Sequence, residues 1–117
     1  VVLLRDAETG GLSHLQTVKK RNGVPLQGAS GITMTSDGTL VFVASRTDDS
    51  ITVLERDNQG MLQPVSSIVD HQRLDWVNGV AVSGDGRFLY TAAVQSNAIT
   101  SFRILRGRED GCGGDCP

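Results

Sequence analysis

No apolar run in this 117-residue chain exceeds Leu40–Ala44, far short of the roughly 20 residues a bilayer span needs. Charge of one sign is lacking too. Eleven basic against 13 acidic residues leave a net charge of −2, which offers no broad attraction to nucleic acid or anionic lipid. The one basic cluster, Lys19-Lys20-Arg21, reads as a solvated loop before it reads as a phosphate site. Aromatic residues are scarce at 4%, and the only two cysteines are Cys112 and Cys116. No serine sits in a nucleophile elbow, no glycine motif cradles phosphate, and no EF-hand spacing surrounds Asp48-Asp49. The sequence opens on Val1 with no methionine and no signal-like segment, which reads as a processed product or a piece of something longer.

What is present is glycine, 14 residues of it, set among short β-branched runs. That mixture suits a turn-rich all-β protein. A hydrophobic share of 38% and a charged share of 21% are those of a soluble globular domain. The strongest signal is an internal repeat. Gly31-Ile-Thr-Met-Thr-Ser-Asp-Gly38, then Leu40–Ala44 and Ile51–Leu54, recurs as Gly79-Val-Ala-Val-Ser-Gly-Asp-Gly86, then Phe88–Ala92 and Ile99–Phe102. The offset is constant, since 79−31, 85−37, 90−42 and 99−51 all equal 48. A period of this size marks one supersecondary unit stacked on copies of itself.

Within the complete copy, Ile32 and Met34 alternate with Thr33 and Thr35, a period of two that argues strand. Asp37-Gly38 then supplies a hairpin signal, because the turn needs positive φ. Leu40–Ala44 is apolar on both faces, as in a sheet covered on both sides. Asp48-Asp49-Ser50 turns into a third strand from Ile51, and Asn58-Gln59-Gly60 into a fourth, Leu62–Val69. Pro64 cannot donate to a ladder, so the fourth strand belongs at an edge. Four antiparallel strands of this kind describe one blade of a β-propeller.

Residues 1–20 match the third and fourth strands of a preceding blade, 31–70 form a whole blade, and 79–105 supply the first three strands of the next. A propeller has at least about four blades, so two to two and a half blades leave two solutions. Either the chain is part of a longer propeller, which is the favoured reading, or several chains close a ring together. Its partners are then other blades, from the same or a neighbouring chain. The apolar flanks of the terminal sheets, Val1, Leu3 and Leu12 at one end and Phe88, Tyr90 and Phe102 at the other, should be partly uncovered and favour self-association.

These blades resemble the lactonase-type seven-bladed β-propeller superfamily, with its 6-phosphogluconolactonase-like repeats. Typical blades there read Val-x-Val-Ser-Pro-Asp-Gly-x-x-Val-Tyr-Val, then Val-x-Val-Phe-x-Arg-Asp-x-x-Thr-Gly-x-Leu. Ile32–Gly38 and Val80–Gly86 match the first half, and Val1–Leu12 and Val53–Leu62 the second. Ser36 and Gly84 replace the consensus proline, which bears only on a turn detail. The resemblance implies one of two functions. One is a ligand- or protein-binding scaffold within a secreted or surface bacterial protein, hence extracellular or periplasmic, and this is the leading expectation. The other is part of a lactonase that opens sugar or related lactones.

Asp37 and Asp85 are spaced by the repeat and read as turn residues rather than paired catalytic acids. Propeller ligands usually bind on the face carrying the loops from fourth to first strand and from second to third. That face singles out Asp70–Asn78, where Trp76 offers a stacking surface and His71, Arg73 and Asp75 offer polar or acid–base groups. The competing reading is a packed interblade loop, with Trp76 filling a gap and Arg73 paired to an acid. Ser30 and Asn78 occupy equivalent positions just before the first strand, nearest the central axis, and could line a channel. The expected ligand is a protein or a small carbohydrate-like molecule, with no cofactor and no metal. Residues 106–117 break the repeat and read as a Gly/Cys-rich linker, in which Cys112 and Cys116 could form a local disulfide.

Overall fold

The computed structural model describes residues 1–105; the tail 106–117, with the expected Cys112–Cys116 pairing, lies outside the described residues. Among the described residues nine strands follow one another: β1 (Val2–Arg5), β2 (Leu12–Gln16), β3 (Ala29–Met34), β4 (Leu40–Ser45), β5 (Ser50–Arg56), β6 (Leu62–Val69), β7 (Val77–Val82), β8 (Phe88–Ala93) and β9 (Ala98–Arg103). They form three antiparallel sheets in plain sequence order, β1-β2, β3-β4-β5-β6 and β7-β8-β9. No helix occurs among the described residues. This is the partial propeller that the repeat implied.

The two Asp-Gly hairpins are built alike. Gly38 and Gly86 carry φ of +76° and +73°, where a side chain would be strained and glycine is not. Asp37 Oδ1 accepts the Thr35 hydroxyl at 2.6 Å and the Thr39 N–H at 3.0 Å. Asp85 Oδ1 accepts the Ser83 hydroxyl at 2.6 Å and the Arg87 N–H at 3.1 Å. Both carboxylates are therefore occupied in holding their turns.

The two inner strands of the middle sheet, β4 and β5, are buried on both faces, while β3 and β6 are largely exposed. Val41 pairs with Leu54, and Phe42 with Val53, across β4 and β5, so successive residues point to opposite sides. On one side Phe42, Ala44 and Ile51 pack with Leu74, Val77, Leu89 and Ala93 of the third unit. On the other, the Ser50 and Thr52 hydroxyls donate to the Pro25 carbonyl at 2.8 and 3.3 Å. The first hairpin is tied on by Gln16, whose side-chain amide donates to Leu62 O at 2.9 Å and accepts from Leu62 N at 2.8 Å. Pro64 lies on the outermost strand, where the register shifts opposite Val53/Leu54. An edge with a bulge tolerates the missing donor.

Outward of this core the second and third sheets diverge around an apolar cleft of about 940 Å³, lined by Ile51, Val53, Val65, Leu89 and Phe102 among others. The terminal flanks are uncovered as expected: Val1, Leu3, Leu12 and Tyr90 are exposed, and Phe88 and Phe102 half-buried.

Leu74 is fully buried in the seam between sheets although it comes from a loop. Leu74→Ala should cost about 2–5 kcal/mol in denaturant unfolding, whereas Ile32→Ala, at an exposed position, should stay within about 0.5 kcal/mol. Equal effects would contradict a core centred on that seam. The bare flanks predict a mass by light scattering that rises with concentration; a constant monomer mass would refute self-association.

Candidate functional site

The loop from β6 to β7 is held from within before it meets anything else. Asp70 Oδ1 accepts the N–H groups of Gln72 and Arg73 at 3.0 and 2.9 Å, and the Asp70 carbonyl takes the Leu74 N–H at 2.9 Å. The Arg73 Nε lies 3.0 Å from Asp70 Oδ2. The Arg73 N–H above all, then that of Gln72 and the guanidinium charge, hold the Asp70 carboxyl below its usual range. Arg73 is therefore paired with its own loop, as the packed-loop reading expected of it.

A second tether comes from the turn between β4 and β5. Asp49, at φ +52°, reaches across to this loop with three groups. Its Oδ2 lies 2.8 Å from His71 Nδ1, its Oδ1 accepts the Trp76 N–H at 3.0 Å, and its carbonyl accepts the Asp70 N–H at 3.0 Å. His71 is largely exposed and its Nε2 makes no hydrogen bond within the described residues. The Asp49 contact raises its pKa, with lesser help from the charges of Asp49, Asp70 and Asp75. Arg46, from the same turn, lies over the Trp76 ring at 5.1 Å from its centroid.

The preceding loop shows which of these features the fold itself requires. The Gly28 carbonyl accepts the Arg46 N–H at 3.0 Å, and 48 residues on the Trp76 carbonyl accepts the Val94 N–H at 3.2 Å. Gln27 N donates to Asp48 Oδ2 at 3.0 Å, and Asp75 N to Ser96 Oγ at 3.1 Å. Leu74 corresponds to Leu26, but His71, Arg73 and Trp76 stand where the earlier copy has Gly23, Pro25 and Gly28. Gly28 has φ +73° and Trp76 φ +62°. A bulky residue in that region costs on the order of 1–3 kcal/mol. The Arg46 stack, at an exposed site, returns roughly 0.5–1 kcal/mol. Trp76 is thus an expensive occupant of a glycine position, and at 38% exposure it is not a buried gap filler.

Ser30 and Asn78 do not precede their strands; they lie inside β3 and β7, at the register shifts between Ala29 and Gly31 and between Val77 and Gly79. Their place within the strands has a packing cause. At Gly31 an added Cβ would come within 2.8 Å of the Asn78 carbonyl oxygen, so the two strands approach too closely for a side chain there, and a bulge carries the extra residue. The Ser30 hydroxyl reaches the Val77 carbonyl at 3.4 Å, which brings Ser30 and Asn78 to neighbouring strands. No hydrogen bond or ion pair joins these two to His71 or Arg73. Asp75 contributes its backbone to Ser96 and Gln95, while its half-buried carboxylate accepts no hydrogen bond from the described residues. In the sequence Asp49 stands out only as part of an acidic turn, and Arg46 not at all. The constant offset held their signal, since Asp49 aligns with Asn97, also at φ +52°. Among the described residues no three His, Asp or Glu side chains are grouped to hold a metal.

A histidine whose folded pKa is raised stabilises the fold fully below its unfolded value of about 6.5, and that contribution fades as pH rises through the folded value. The His71 ring should therefore titrate above about 6.5 by NMR, and Asp49→Asn should bring it back down. The stability difference between the parent and His71→Ala should be present at about pH 5.5 and gone by about pH 9. A difference that grows with pH would contradict the Asp49–His71 contact.

Comparison with known proteins places this geometry. The family model described as lactonase, 7-bladed beta-propeller, matches residues 1–108. A candidate 6-phosphogluconolactonase from Bacteroides fragilis superposes with a TM-score of 0.70 at 21% identity, over 88% of this chain and 28% of that one. One from Bacteroides uniformis gives 0.71 at 19% identity, over 89% and 30%. A protein from Lactobacillus plantarum gives 0.71 at 22%, over 82% and 29%. Likeness at this level of identity is one of fold, and the chain spans less than a third of each of these structures. No curated protein matches it. With a match running from the first residue through all nine strands, the chain belongs to the lactonase family of seven-bladed β-propellers.

Proposed function

We propose that this chain forms part of a propeller enzyme that hydrolyses sugar or related lactones. The family match over residues 1–108 carries the reading, and the two neighbours described as candidate 6-phosphogluconolactonases support it. Both favour this over a scaffold in a secreted or surface protein.

Lactone hydrolysis adds water across the ring ester: the water oxygen bonds to the carbonyl carbon, the ring C–O bond breaks, and a proton ends on the departing alkoxide. The chemistry needs a proton acceptor, a stabiliser for the carbonyl oxygen as it becomes negative, and a proton donor. On this face His71 is held at Nδ1 by Asp49 and presents Nε2, which can accept the proton of water or return it to the alkoxide. The Arg46 guanidinium supplies positive charge beside Trp76. The remaining groups come from other blades, because a site on the propeller axis collects side chains from around the ring.

Two assays test this. A complete propeller containing these residues should hydrolyse δ-gluconolactone or its 6-phosphate, and His71→Ala should lower kcat/KM by about 10²–10⁴-fold. The 117 residues alone should show no turnover. A complete propeller inactive on both lactones would remove the reading.

A further inference from the structure

Three features meet at position 76. The backbone there adopts a conformation that the preceding copy of the loop gives to Gly28, and the chain places its only tryptophan in it. At Gly28 the space is closed: an added Cβ would come within 2.8 Å of the Thr47 nitrogen and closer still to its hydroxyl. At Trp76 the side chain projects out, exposed, with the Arg46 guanidinium on its ring. The Arg46 guanidinium donates no hydrogen bond to any described residue, its backbone N–H alone being taken by Gly28, whereas the Arg73 guanidinium, on the same face, is spent on Asp70. Arg46 also breaks the repeat, since its counterpart is Val94. Both partners of the stack are thus departures from the pattern, they touch each other, and neither is needed to close the loop.

We propose that Trp76 and Arg46 form a specificity platform for a sugar ring carrying an anionic group. An indole face accepts the flat, C–H-rich side of a cyclic polyol, and aromatic walls with a few fixed polar groups are how pockets orient small ligands. A guanidinium already oriented by a ring offers paired N–H donors that match carboxylate or phosphate oxygens. Asp49 anchors the platform by accepting the Trp76 backbone N–H, so the residue is held at its backbone by a carboxylate and at its ring by the Arg46 contact. This role rests on the lactonase reading only in taking sugar acids and phosphosugars as the ligands to try.

Because Trp76 is the sole tryptophan, its emission reports directly on the platform. Gluconate (carboxylate only) and glucose 6-phosphate (phosphate only) should each change that emission saturably, and the tighter of the two identifies the anion preferred. Neutral glucose and inorganic phosphate should bind at least tenfold more weakly. Arg46→Gln should weaken the better anionic sugar tenfold or more. Trp76→Gly should abolish its binding by calorimetry while melting no lower than the parent, because glycine suits that backbone. A purely structural tryptophan would give the reverse, a lower melting temperature. Such a drop overturns the proposal, as does an unchanged affinity in Arg46→Gln, equal binding of inorganic phosphate, or no saturable change with any probe. Saturable binding by this chain, with no lactone turnover by the complete propeller, would remove the lactonase reading and leave the platform standing.

Discussion

A sheet that is apolar on both faces cannot stand alone in water, and that constraint organises the whole molecule. β4 and β5 send Phe42, Ala44 and Ile51 to one side and Val41 and Leu54 to the other. Burying each large aliphatic or aromatic side chain is worth about 1.5–3 kcal/mol, so neither face can be left wet. The third sheet covers the Phe42 side, and loops and strand ends plug the seams. Leu74 and Val77 do so on one side; on the other, the Pro25 carbonyl takes the two hydroxyls that β5 turns inward.

The loop face follows from that arrangement. Because Leu74 is pulled into the seam, the residues around it are turned outward, and Asp70, His71, Arg73 and Trp76 gather beside the β4–β5 turn. The tethers are short and mostly backbone-directed: Asp70 to Gln72 and Arg73, Asp49 to Asp70 and Trp76. A site so held keeps its shape without a large buried base, which suits a face exposed to solvent.

Much of the fold was legible because it rests on local chemistry. The offset of 48, the positive φ demanded at Gly38 and Gly86, and the inability of Pro64 to donate each have one structural outcome. The site was legible only in outline. The stretch Asp70–Asn78 stood out by composition, but what each side chain does there depends on a partner far along the chain. Asp49 looked like half of an acidic turn, and nothing local tells that its carboxylate crosses to His71, 22 residues on. Arg46 follows an ordinary strand end. The bulges at Ser30 and Asn78 arise from the close approach of β3 and β7, a tertiary distance that no periodicity encodes.

The left-handed residue in each β4–β5-type turn has a consequence for how such a ring can change over time. Position 49 is an aspartate and position 97 an asparagine, with the same φ of +52°. The backbone demand is identical, and both side chains tolerate it. One carries charge and couples to a histidine; the other is an amide with nothing to titrate. A duplicated frame thus lets adjoining junctions diverge in their response to acidity while the geometry that joins them is inherited intact.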